Sequence, residues 1–162
     1  MMQSLSQQTQ SSHSDPSSAQ VGGQADFEAA CTQLCVEFAN ALDADDYVRV
    51  VDVFTPDATI VAATGEAVQG RDAILASLST RPAMRTRHCC SNIRITLNAD
   101  GSATGLCYVV CFKNFGEEAA RGVSTTPMPI VADYHDTYVF TEEGWRISER
   151  RIAMIFNPDL AN

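Results

Sequence analysis

At 162 residues the chain has the length of one domain, and 20 acidic against 11 basic residues leave a net charge of −9. Nucleic acids and anionic membrane surfaces favour basic patches, so this balance argues against both as partners. No apolar run reaches the ~18 residues a membrane-spanning helix needs.

Residues 1–24 are rich in Ser and Gln, with one acidic residue (Asp15) and almost no large apolar side chains. Such a stretch buries too little surface to offset its ordering entropy, which predicts a disordered tail. It also lacks the basic and apolar regions of a secretory signal, and the expected location is cytoplasmic. The domain proper is expected over residues 25–157, with a short C-terminal tail over 158–162.

From Asp26 to Leu42, Phe27, Cys31, Leu34, Phe38 and Ala41 recur at the three-and-four spacing of an amphipathic helix. An acidic break, Asp43-Ala-Asp-Asp46, precedes a second helix carrying Tyr47, Val50, Val51 and Phe54, which should stop before Pro56. Asp57 to Ala63 is predicted as a strand, with a turn at Thr64-Gly65 and a short return strand over Glu66–Gln69. A third helix follows over Arg71–Ser79. Four long runs rich in β-branched and aromatic residues come next: Thr86–Leu97, Ala103–Phe112, Ile130–Phe140 and Trp145–Phe156. Asn98–Gly101 and Thr141–Gly144 are hairpin turns with a late glycine, and Lys113 to Pro129 is a longer loop. Helices first and strands afterwards predict an α+β domain. Its curved, antiparallel or mixed sheet would form a cone packed on about three N-terminal helices and enclose an apolar pocket.

Two residues stand out chemically. Asp43 closes the first helix, and His88 opens the strand Arg87-His-Cys-Cys-Ser-Asn92. A carboxylate that orients an imidazole makes a compact proton-transfer pair. A solvated helix end also fits Asp43, and a satisfied histidine fits His88. By alternation, Cys90 and Asn92 share the face of His88, while Ile93, Ile95 and Leu97 take the other unless a bulge intervenes. Tyr134 and Asp136 share a face, Asp136 suiting a structural hydrogen bond better than acid catalysis, and Trp145 fits the core. The six cysteines (31, 35, 89, 90, 107 and 111) contain no C-x-x-C pair and no zinc spacing. They are expected to be reduced, buried hydrophobes, with no metal. His13 and the pairs Glu117-Glu118 and Glu142-Glu143 carry no functional weight.

The ordered set Phe38-Ala-Asn-Ala-Leu-Asp43, Val53-Phe-Thr-Pro-Asp57-Ala, Gly70-Arg-Asp-Ala-Ile74, Arg87-His88 with Asn92, Tyr134-x-Asp136 and Gly144-Trp-Arg-Ile147 with Arg150 resembles SnoaL-like proteins of the nuclear transport factor 2-like (cystatin-like) superfamily. The resemblance spans about residues 25 to 156. Members that dehydrate or isomerise small cyclic molecules, such as scytalone dehydratase, carry a Tyr, an Asp and a His in the cone. Carried over, the Asp falls on Asp43 and the His on His88. The Tyr position holds Phe38, which has no hydroxyl. Tyr108 or Tyr134 would have to replace it, and Arg150 or Arg151 would match an arginine on the last strand of some members.

What the resemblance implies is a cofactor-independent lyase, isomerase or cyclase. Its Asp43–His88 pair would move a proton on a cyclic, mostly apolar metabolite, in a pocket lined by Phe38, Asn92, Tyr108, Tyr134, Asp136 and Arg150. A homodimer is the expected assembly. Two readings of a different class share the fold: a non-catalytic ligand-binding or structural dimer, and a small subunit of a larger oxygenase.

Overall fold

The computed structural model describes residues 16–116 and 128–158. The expectations for residues 1–15, for 117–127 of the loop, for the 159–162 tail, for His13 and for the Glu117-Glu118 pair lie outside the described residues. In chain order the elements are α1 (Pro16–Asp43), α2 (Tyr47–Asp52), β1 (Phe54–Val61), β2 (Ala67–Gln69), α3 (Arg71–Ser79), β3 (Met84–Leu97), β4 (Ala103–Phe115), β5 (Ile130–Thr141) and β6 (Gly144–Phe156). Among the described residues no helix is long and apolar enough to cross a membrane.

The strands form one six-stranded sheet in the order β2-β1-β6-β5-β4-β3. All neighbours are antiparallel except β1 and β6, which run parallel. The helices supply the second layer of an α+β fold, with α1 lying across β3 and touching β6. The predicted periodicity holds where α1 meets the sheet: Phe27, Cys31, Cys35, Phe38, Ala41 and Leu42 join the core. From the sheet come Ala103, Cys107, Val109, Tyr134, Tyr138 and Ile147.

Three boundaries differ from the predicted ones. Helix α1 starts at Pro16, ahead of the predicted start at Asp26. Proline suits a first helical turn, where its missing N–H would have no partner anyway. Helix α2 ends at Asp52, and β1 already begins at Phe54, running through Pro56. Proline is tolerated there because the β1–β6 register shifts between Phe54 and Thr59, and a bulge needs no ladder hydrogen bond from that residue. Finally, β4 continues to Phe115 along β3, so Lys113 to Phe115 are strand, not loop.

A second bulge governs β3. Ser91 pairs with Tyr108 but Arg94 with Leu106, so one extra residue sits in β3. Asn92 absorbs it with φ of 49°, in the left-handed region that asparagine tolerates better than most residues. The insertion reverses parity, so Cys90 before it and Ile93 and Ile95 after it all pack toward the core. Opposite Ile95 lies Gly105, which makes room for a ring: a Cβ there would sit 2.8 Å from Tyr138 Cε2 and 2.9 Å from Ile95 Cδ1. Gly105→Ala should therefore destabilise the fold by about 1–3 kcal/mol through overpacking. Urea unfolding reads this as a lower midpoint at unchanged slope.

Candidate active site

Asp43 and His88 are brought together. The turn after α1 places the last helical residue beside the start of β3, with Asp45 in the left-handed region at φ 56°. Asp46 then caps α2 through a 3.2 Å hydrogen bond from the Arg49 amide. The Asp43 carboxylate accepts three hydrogen bonds: from His88 Nδ1 (2.6 Å) and the Thr86 hydroxyl (2.7 Å) on Oδ1, and from the His88 backbone amide (2.8 Å) on Oδ2. The two side chains are only 12% and 8% exposed, respectively, which rules out a merely solvated helix end for Asp43.

Electrostatics fix the proton positions in this pair. Burial pushes the Asp43 carboxyl up, but the hydrogen bonds from the His88 amide, the His88 ring and the Thr86 hydroxyl outweigh it and hold the group below its ordinary value. Asp43 is therefore a carboxylate, able only to accept, so Nδ1 of neutral His88 carries the hydrogen and Nε2 keeps the lone pair. That is the tautomer a general base needs.

The remaining predicted site residues separate into two groups. Phe38, Tyr134, Asp136 and Arg150 form one buried cluster. Arg150 is 0% exposed and faces Asp136 across the β5–β6 ladder. Its Nε and Nη2 donate to the two Asp136 oxygens at 2.7 and 2.6 Å, and the Tyr138 hydroxyl donates to Oδ2 at 2.8 Å. The guanidinium carbon lies 4.2 Å from the Phe38 ring centre and 4.3 Å from that of Tyr134, in the corner between two perpendicular rings. Asp136 is thus a saturated counter-ion, and Phe38 is a cation–π partner rather than a bare gap in a catalytic pattern. Arg151, the alternative to Arg150, is exposed and paired with Glu149.

Asn92 and Tyr108 fall elsewhere. Asn92 is exposed, because the bulge turns it out of the alternation that begins at His88. Tyr108 is 41% exposed, since its neighbours Cys107 and Val109 take the core face of β4. Tyr108 therefore cannot stand in for the missing family tyrosine.

Sequence reasoning missed Arg81 and Cys111. Arg81 lies 5.9 Å over the Tyr47 ring, and its Nη1 is buried without a hydrogen-bond partner. Cys111 faces His88 across the β3–β4 ladder, and its thiol is pushed up to about 11, by burial first and then by the Asp43 charge, against Lys113 and Arg81. Nothing around Thr80-Arg-Pro82 marks this arginine in sequence. The cysteines are free thiols, with Cys31, Cys35 and Cys107 buried and Cys89 exposed, and Cys35, Cys90 and Cys107 hold their sulfurs within 4.8 Å of one another. Spacing rules look for neighbours in sequence, and these three come from α1, β3 and β4. At the far end of β3, a cleft of about 560 Å³ is lined by Phe27, Ala30, Leu97, Phe140 and Trp145. It lies away from the dyad.

Two predictions test these clusters. Because the folded-state pKa of Asp43 is depressed, its contribution to stability is present above the unfolded value of ~3.9 and disappears as pH falls through the lower folded value. Asp43→Asn should therefore be less stable than wild type at neutral pH, and the gap should close in acid, as followed by urea unfolding across pH. Arg150→Met leaves the Asp136 carboxylate buried and unpaired, which should cost about 3–5 kcal/mol. The double variant Arg150→Met/Asp136→Asn should regain part of that loss in the same assay.

Comparison with known proteins agrees with this architecture. The sequence matches the SnoaL-like domain family over residues 24–151. No curated protein matches it. Among solved structures, ActVI-ORFA from Streptomyces coelicolor is 18% identical, covering 80% of this chain and 97% of its own, with a TM-score of 0.67. A protein provisionally assigned as a scytalone dehydratase from Novosphingobium aromaticivorans is 19% identical over 84% of this chain and 89% of its own, with a TM-score of 0.70. An NTF2-like protein with a cystatin-like fold from the same organism is 18% identical over 91% and 94%, with a TM-score of 0.71. At these identities the structural likeness speaks to fold. The chain belongs to the SnoaL-like domain family, on the NTF2-like, cystatin-like fold.

Proposed function

We propose that this protein is a cofactor-independent lyase or isomerase that moves a proton on a small, mostly apolar cyclic substrate. The observation that carries the proposal is the 2.6 Å contact between Asp43 Oδ1 and His88 Nδ1, shielded from water and tied to the His88 backbone by a second hydrogen bond. His88 Nε2 takes a proton from a carbon next to a carbonyl, and Asp43 stabilises the imidazolium that forms. Return of that proton to a β-hydroxyl expels water in a dehydration; return to another carbon completes an isomerisation. With Phe38 lacking a hydroxyl, the unpartnered Nη1 of Arg81 is the candidate donor to the substrate oxygen. Tyr47, whose hydroxyl donates to Asp45 at 3.0 Å, positions Arg81 through its ring.

A second reading, a non-catalytic ligand-binding protein, draws on the cleft lined by Asp26, Phe27, Leu97, Phe140 and Trp145, mostly apolar and at the opposite end of β3 from His88. Deuterium exchange separates the two. In heavy water, NMR should show the protein catalysing exchange at the carbon next to the carbonyl of cyclic hydroxy-ketones. His88→Ala should lose ~10²–10⁴-fold of that rate, the usual contribution of a positioned base. Exchange no faster than in buffer, or an unimpaired His88→Ala, removes the catalytic reading and leaves the binding one.

A further inference from the structure

We propose that Cys35, Cys90 and Cys107 form a three-sulfur site for a soft, thiophilic ion. Helix α1 lays Cys35 over the sheet, and Cys90 on β3 and Cys107 on β4 lie diagonally across one ladder, two residues apart in register. Cys35 is fully buried, Cys107 is nearly so and Cys90 is half-buried. Their sulfurs all lie within 4.8 Å of one another. With bonds of ~2.3 Å to sulfur, a pyramidal three-coordinate ion such as trivalent arsenic needs sulfurs about 3.5 Å apart and a planar one about 4 Å, so side-chain rotations would close the triangle.

The three thiols come from three separate elements, α1, β3 and β4, and converge on one place beneath the helix. Arg150 retains a buried Nη1 with no hydrogen-bond partner. The convergence of three sulfurs within bonding reach of one ion is what sets this cluster apart from small hydrophobes packed singly.

Coordination number narrows the ligand. Among the described residues no fourth His, Cys, Asp or Glu atom joins the group. Structural zinc almost always takes four ligands, whereas softer ions accept three sulfurs. Trivalent arsenic and monovalent copper share that chemistry. With arsenite, As(OH)₃ and three thiols give As(SR)₃ and three waters: each As–S bond replaces an As–O bond, and each thiol proton leaves on the displaced hydroxide. No electrons are transferred, and the product carries no charge to bury. With Cu(I), each thiol that binds releases its proton to solvent and an anionic centre remains, which ranks arsenic first.

The test uses the full chain in a Cys89→Ser background, which removes the exposed thiol. Arsenite is titrated in one arm; in the other, Cu(I) is titrated anaerobically against a chromophoric competitor. X-ray absorption counts the sulfur neighbours of the bound ion. The expected result in at least one arm is one ion per chain with three sulfurs. Affinity should fall in Cys90→Ser and Cys107→Ala by more than the ~10–100-fold typical of losing an outer-shell partner, and hold in Cys31→Ser. The sulfur count on the parent chain needs no further variant, so misfolding of a substituted chain cannot mask the answer. Two-sulfur ligation, binding that survives Cys90→Ser in a folded chain, or no binding in either arm overturns the proposal.

Discussion

The guanidinium of Arg150 is a full positive charge in a place water does not reach, and much of the structure answers to that fact. Desolvating such an ion costs several kcal/mol unless a counter-ion and hydrogen bonds are in place. Here Asp136 supplies both oxygens from the neighbouring strand, Tyr138 braces the carboxylate, and two aromatic faces close the remaining sides. Phe38 brings α1 into that arrangement, while Tyr134 and Asp136 bring β5. The charge thus specifies how the helix meets the sheet. Gly105 belongs to the same construction, because only an absent side chain lets the Tyr138 ring lie where its hydroxyl reaches Asp136.

The Asp43–His88 pair inherits its geometry from that seating. Asp43 ends a helix, where the unsatisfied carbonyls make the local potential negative and a carboxylate is disfavoured. Three donors from β3 reverse the preference, two of them from one residue. An acid that the helix alone would leave to solvent is instead gripped by the sheet, and the imidazole is locked in one tautomer. A helix end and a strand start, 45 residues apart, act as one unit.

Much of this was legible in the sequence, and the failures have physical causes. Phe27, Cys31, Phe38 and Ala41 declared α1, and Arg71–Ser79 and the four long strands were visible from periodicity and turn glycines. Asp43 and His88 stood out chemically and again in the family pattern, which left the arginine of the last strand open between Arg150 and Arg151. Pro56 misled because a bulge accommodates it, and Asn92 misled because another bulge moved it. Tyr108 misled because alternation gives two faces without saying which is inward, and Cys107 and Val109 take the core face. The cation–π role of Phe38, the unpaired nitrogen of Arg81 and the trio of thiols could not be read locally. Each arises where segments far apart in the chain converge.

The extra residue in β3 has a further meaning. Along a regular strand one face is committed to one environment, and polar and apolar duties compete for the same alternate positions. By inserting Asn92, this strand is read in two frames. Upstream, Thr86, His88 and Cys90 point inward on even numbers; downstream, Ile93 and Ile95 do so on odd ones. The half that grips Asp43 and the packing half are thereby decoupled, so one can change without shifting the other. Any transfer of side chains from a relative with an uninterrupted strand would be correct up to Ser91 and inside out beyond it.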